Sequence, residues 1–516
     1  MRRRWILAAT TIVAALAASA APAGAVTLPA NFTDEVVTTV ASPTALAWTP
    51  DGRMLIATQP GRLRVLSGGT LLATPALDLS TVACSESERG LLGVAVDPQF
   101  AANRHIYVYY TFRRASPCSS TNAVNRVSRF VLADTNTVDP ASETVLIDNI
   151  PSPAGNHNGG DLQFGKDANL YVSIGDGGCD YVSGGGCAGS NDAARDQNVL
   201  LGKVLRITPA GAIPADNPFQ GLGTGRCHLA GKTTAARCQE TFAWGLRNPF
   251  RMAFDPNAAS VRFYINDVGQ SDWEEIDEGL ARADYGWNVR EGHCATGSTT
   301  NCGPPPAGMT NPVFDYGRAD GCRSITGGVF VPNGIWGSAF DGKYLFADFA
   351  CGKIFRLDPN GSGGFTRTDF VIDLGANSVV HLRFGPWNNT QALYYTTYAG
   401  GGQVRRISKP NHTFIAGSTW YADGTTSRTG GVGAAVSAFA TGAFQNTPYQ
   451  MVLATAECTT PVAVLNPTTR FANASGFISM TRGTIPAGTP RGTYAVCFRS
   501  TSGAPTGTAP ATFTVT

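Results

Sequence analysis

His157 stands in Gly155-Asn156-His157-Asn158-Gly159-Gly160, and Asp176 follows in Gly175-Asp176-Gly177-Gly178. A histidine held by a carboxylate is a general base or acid. Flanking glycines let the backbone turn tightly and let a ligand approach. The alternative is a loop histidine hydrogen-bonded to backbone. The chain has only 6 histidines in 516 residues, which draws attention to this one. Arg247-Asn248-Pro249 offers an arginine that stabilises a developing oxyanion if it lies beside such a base; the alternative is an ordinary ion pair. Asp267 to Asp277, DVGQSDWEEID, crowds carboxylates around a glycine turn. Adjacent acids are costly unless solvated or bound to a cation, and Ca²⁺ prefers carboxylate and carbonyl oxygens. The segment is not an EF-hand loop.

These residues lie on loops of a repeated unit. An apolar strand, a polar turn, a second apolar strand and a G-x-h-x-R-h strand (h apolar) recur. The copies begin at Leu46, Gly90, Gly160, Gly245, Gly327 and His381. Period-two alternation argues strands, and P-D-G variants supply turns. One unit cannot bury both its faces, whereas six arranged radially can. The expectation is an all-β chain: a six-bladed β-propeller over 26–408, with His157 and Asp176 on loops at one side of it. Residues 409–413 read as a linker. Residues 414–516, rich in Thr, Ala, Gly and Ser, read as a small immunoglobulin-like β-sandwich.

Composition agrees. There are 60 glycines and 31 prolines, and charged residues make up 15% of the chain, against about 25% in ordinary proteins. A net charge of +2 gives no basic excess for nucleic acid or an anionic membrane surface. Arg2 to Arg4, an apolar run from Trp5 to Ala20 and Ala23-Gly24-Ala25 read as a signal peptide over 1–25. The expected mature chain begins at Val26, has no membrane span and is secreted. Twelve cysteines without a C-x-x-C motif favour disulfides, with pairing in sequence order as the simplest scheme.

Six segments in order, ERGLLGVAVDPQF, HNGGDLQFGKDANLYVSIGDGG, GKVLRITPAGAIPADNPF, GLRNPFRMAFDP, DVGQSDWEEID and ADYGWNVREG, resemble the soluble pyrroloquinoline quinone (PQQ)-dependent glucose/sorbosone dehydrogenase family over most of residues 35–407. The resemblance implies a six-bladed propeller and sugar oxidation by hydride transfer to the quinone. By position, it implies that His157 is the base on the anomeric hydroxyl, Asp176 its supporting carboxylate, and Arg247 the group that stabilises charge on the quinone oxygen. Asn248 is placed beside the cofactor and Glu88 lines the site. Gly269 and Gln270 match carbonyl ligands of the cofactor's Ca²⁺; Glu274, Glu275 and Tyr285 match a second, structural Ca²⁺ region. The chain departs from this pattern at three positions. Ala350, Ser378 and Val380 stand where glucose-oxidising members place a lysine and two arginines for the quinone's carboxylates. Lys353, His381 and Arg383 are the nearby cations able to compensate.

The leading expectation is thus a secreted PQQ- and Ca²⁺-dependent oxidoreductase acting on an aldose or similar sugar, with an electron acceptor the sequence does not identify. A non-catalytic propeller that binds carbohydrate or protein is the alternative, motivated by the three missing cations. A Ca²⁺-dependent propeller hydrolase is weaker, because acidic ligands are not spread over several units.

Overall fold

Aromatic side chains at equivalent places in successive repeats wedge neighbouring sheets together. Phe164 packs edge-on to Tyr107, Phe254 to Tyr171, and Phe330 against Tyr264. Phe384 packs on Trp336, and Trp48 on Tyr394. In four cases a residue of one sheet's inner strand meets a strand aromatic of the preceding sheet; Phe384 instead meets Trp336 on the loop between Ile325–Phe330 and Tyr344–Asp348. Four of the five wedge rings, all but Phe330, are only half-buried, so each contributes less than a fully buried side chain does, which is about 1.5–3 kcal/mol.

The computed structural model describes residues 26–516 except residue 31 and segments 179–191, 231–234, 388–389, 410–428, 441–447, 456–460, 472–476 and 501–511. The expected signal peptide and the linker at 410–413 lie outside the described residues. Among the described residues, six antiparallel sheets have inner strands Pro43–Trp48, Leu91–Val96, Leu162–Phe164, Pro249–Phe254, Ile325–Phe330 and Val379–Trp387. Each inner strand touches the next, and the last touches the first. Six separate apolar cores fill the gaps between adjacent sheets. The chain is nearly all β, as the repeats imply, and the ring is a propeller.

The ring closes through the chain's first strand. Thr33–Thr39 pairs antiparallel with Gln403–Ser408 and supplies the outer strand of the last sheet. Asp34 accepts hydrogen bonds from Arg405 at 2.5 Å and from the Tyr395 hydroxyl at 2.8 Å. Glu35 pairs with Arg406.

Further along, a five-stranded sheet contains Pro448–Ala454, Gly492–Ser500 and Thr512–Val515, and a two-stranded sheet pairs Ala435–Ala440 with Ile478–Thr484. Both share a core of Val436, Tyr449, Leu453, Val496 and Phe513. No helix among the described residues is long and apolar enough to cross a membrane.

Four disulfides join Cys84 to Cys118, Cys227 to Cys238, Cys294 to Cys302 and Cys322 to Cys351. All four follow sequence order. Cys497 is also disulfide-bonded, whereas Cys179, Cys187 and Cys458 lie outside the described residues.

Candidate active site

The loops that enter the inner strands gather at one mouth of the ring. His157 precedes Leu162–Phe164 and sits at φ +51°, in the left-handed region. Its conformation is fixed by its surroundings. The His157 N–H donates to Glu88 Oε2 at 2.7 Å. A Cβ on Gly175 would lie 2.1 Å from the His157 carbonyl oxygen, so only glycine lets the two loops pass. Asp176 follows at once, and its Oδ1 lies 2.6 Å from His157 Nδ1.

Asp176 is wholly buried, and His157 is 6% exposed. The carboxylate also accepts Gly178 N–H at 2.8 Å and the Trp287 indole N–H at 2.8 Å. A carboxylate met by such donors acts as an acceptor, so Nδ1 carries the imidazole proton and Nε2 keeps its lone pair. That tautomer is a base.

Arg247 and Asn248 precede Pro249–Phe254. Their N–H groups donate to the two oxygens of Asp267, at 2.8 and 2.6 Å. The Arg247 carbonyl accepts Asp176 N–H at 2.7 Å, which ties this turn to the dyad. The Arg247 guanidinium lies 5.6 Å from the Trp287 ring centre. It donates to the carbonyls of Val268 and Gly269 at 2.8 and 2.7 Å, and its Nε to Gln270 Oε1 at 3.0 Å. Asn248 Oδ1 accepts Gly159 N–H at 3.2 Å. Asn248 therefore braces the histidine loop.

Strand alternation sends Glu274 and Glu275 to opposite faces of Trp273–Glu278. Glu274 is an ion-pair partner of Arg318. Burial nonetheless pushes its carboxyl up to about 7, with Arg318 opposing. Arg318 also donates to the carbonyls of Gly269 and Gln270, at 2.9 Å each. Glu275 instead meets Asp267 and Asp277, whose ligand atoms all lie within 4.8 Å of one another. Both oxygens of Asp277 are buried without a hydrogen-bond partner among the described residues. Burial, then the neighbouring carboxylates, raises the Glu275 and Asp277 carboxyls well above their usual range. The Tyr285 hydroxyl donates to the Glu278 carbonyl and accepts Leu280 N–H, and burial, then the Asp277 charge, raises its phenol well above the usual range. Asp267 and Asp277 bound the acidic segment read from sequence as a candidate cation site, whereas Trp287 and Arg318 were not singled out. Period two places 275 and 277 on one face, which was legible; the reach of Trp287 across 111 residues to Asp176 was not.

A cavity of about 260 Å³ is walled in part by Glu88, Asn158, Gly159, Arg251, Phe349 and Val380; it touches the chain neighbours of His157 and its partner Glu88, but neither member of the dyad lines it. Its arginine is already engaged: Arg251 donates to the carbonyls of Phe250 and Thr44 at 2.7 and 2.8 Å. Ala350 and Ser378 present no charge, and Val380 forms wall. The nearby cations do not replace them. Lys353 pairs with Asp369 at 3.1 Å. His381 is buried, and burial lowers its pKa well below the usual value. Arg383 lines a second cavity of about 290 Å³ at the far ends of the inner strands, with Phe164, Phe254, Phe330 and Phe384.

These residues fit one end of a quinone cofactor. The His157–Asp176 pair suits the reacting end, whereas every nitrogen of the Arg247 guanidinium is given to Val268, Gly269 and Gln270. The other end is met less well, because a tricarboxylate is held best by cations and this wall offers only Arg251, already engaged. A cofactor Ca²⁺ on the Gly269 and Gln270 carbonyls does not fit. At an effective dielectric of about 20, a divalent ion about 4 Å from one guanidinium is repelled by about 8 kcal/mol, and two guanidinium groups converge here.

A sequence profile of the glucose / sorbosone dehydrogenase family matches residues 40–383. The HIPL2 protein of Arabidopsis thaliana is 26% identical over 388 residues, covering 61% of this chain and 52% of that one. The aldose sugar dehydrogenase YliI of Escherichia coli is 30% identical over 246 residues, covering 48% and 58%. The chain thus spans about half the length of these curated relatives. The PQQ-bound aldose sugar dehydrogenase of Streptomyces coelicolor shares the fold, with a TM-score of 0.54 at 21% identity, over 74% of this chain and 99% of that one.

Proposed function

Because this chain belongs to the glucose/sorbosone dehydrogenase family, we propose that it is an exported oxidoreductase that oxidises an aldose or similar sugar at the anomeric carbon. The observation that carries the reading is the buried His157–Asp176 pair, braced by Trp287. His157 Nε2 takes the proton from the anomeric hydroxyl, and Asp176 stabilises the imidazolium that forms. Arg247 offsets negative charge developing next to that base. The same carbon releases its hydrogen with two electrons, so an acceptor is required; a pyrroloquinoline quinone supplies that chemistry when bound. Four disulfides favour an oxidising compartment. Asp267, Glu275 and Asp277 would hold a structural divalent cation, which would remove the cost of three buried carboxylates.

The test is dye reduction by the purified protein over a panel of aldoses, with and without PQQ. Quinone-dependent turnover is expected, falling by about 10²–10⁴ in His157→Ala. A second reading rests on the uncharged residues Ala350, Ser378 and Val380, of which Val380 walls the cavity: a propeller that binds carbohydrate or protein without turnover. Absence of both dye reduction and quinone binding by calorimetry would reject the first reading in favour of the second.

A further inference from the structure

We infer that Arg318 is a built-in cation at the Gly269–Gln270 turn, taking the position a metal ion would need there and holding Arg247 in place without one. Arg318 Nη1 donates to the Gln270 carbonyl and Nη2 to the Gly269 carbonyl, both at 2.9 Å. Its other partner is the carboxylate of Glu274, which is wholly buried. The Gly269 carbonyl also accepts Arg247 Nη1 at 2.7 Å. A carbonyl oxygen has two lone pairs, so both on Gly269 are used. A Ca²⁺ ion gathers six to eight oxygens. The oxygens that converge here are already shared between two guanidinium groups.

The same device recurs elsewhere among the described residues. Lys203 is wholly buried, and its ammonium donates to the carbonyls of Ala193 and Ala194 at 2.9 and 2.8 Å and to that of Leu201 at 2.5 Å. Arg251, also buried, caps the Phe250 and Thr44 carbonyls. In all three places a side-chain cation meets main-chain oxygens that turn inward. At Arg318 this has a consequence for the site. Gln270 Oε1 receives Arg247 Nε, so the turn that Arg318 clamps is the turn that aims Arg247. Arg318 is therefore a positioning residue.

The test counts metal rather than turnover, so it stands apart from the proposed oxidation. Crystals of the full chain soaked in terbium are expected to show no anomalous peak between the Gly269 and Gln270 oxygens; a peak there overturns the inference. In solution, the double variant Arg247→Ala/Arg318→Ala, which removes both guanidinium groups from the Gly269 carbonyl, is expected to bind one more calcium per chain than the wild type by calorimetry, and Arg318→Lys to keep the wild-type count. An unchanged count in the double variant, with its circular dichroism and melting intact, also overturns it. Should the double variant not fold, the terbium experiment on the unaltered protein decides.

Discussion

Asp176 does more than hold an imidazole: it converts a loop histidine into a base by fixing which nitrogen carries the proton. Asp176→Asn is expected to keep the fold but lower kcat by about two to four orders of magnitude, since the amide no longer selects that tautomer or stabilises an imidazolium. Steady-state kinetics beside an unchanged melting curve checks this. Asp277 gives a second prediction. Its carboxyl is raised in the folded chain by burial and by Asp267 and Asp315, so the folded state holds its proton more tightly than the unfolded state. That contribution is present below the unfolded value of about 3.9 and is lost as pH rises through the folded one. Chelated protein is therefore expected to melt at lower temperature as pH goes from 5 to 8, and Asp277→Asn to flatten that decline. Calcium is expected to restore the wild type but not the variant. At this scale the sequence was informative where partners are near, as with His157 between its glycines. It was silent on Arg318, whose acceptors lie on a turn 48 and 49 residues earlier.

The strands were legible because each repeat alternates and ends in a turn. The inter-sheet contacts were not, because Phe254 and Tyr171 are adjacent only after two sheets have formed. The closing strand Thr33–Thr39 was also hidden: it carries no repeat of its own and borrows its partner from the far end of the ring. Its anchor is testable. The Asp34 carboxylate is nearly buried, beside an Arg405 that is about one-fifth exposed. Asp34→Ala removes the acceptor shared by Arg405 and Tyr395 and is expected to cost about 2–3 kcal/mol. Urea denaturation measures it, and Glu35→Ala, whose carboxylate is exposed, should cost no more than about 1 kcal/mol.

Over the whole molecule, scarce charge and abundant glycine are consistent with a ring whose sheets are packed face to face and whose site is built from the loops between them. Long insertions in the third and fourth sheets carry Trp287 and two of the disulfides. The Cys322–Cys351 bond ties the entry of the fifth sheet's inner strand to the turn after its second strand. Replacing both cysteines by serine is expected to lower stability by about 2–4 kcal/mol, read as a lower denaturation midpoint with little change in slope.

Ring closure also sets an order in time. Thr33 finds its partner in Ser408, 375 residues later. At roughly 5–20 residues per second of synthesis, the first strand made waits roughly 20–75 s for the last. During that wait it is a bare edge of the kind that recruits unrelated chains. Asp34 and Glu35, which later anchor the seam, meanwhile place two adjacent negative charges on that edge. The pair that locks the finished ring is thus also suited to guarding the unfinished one.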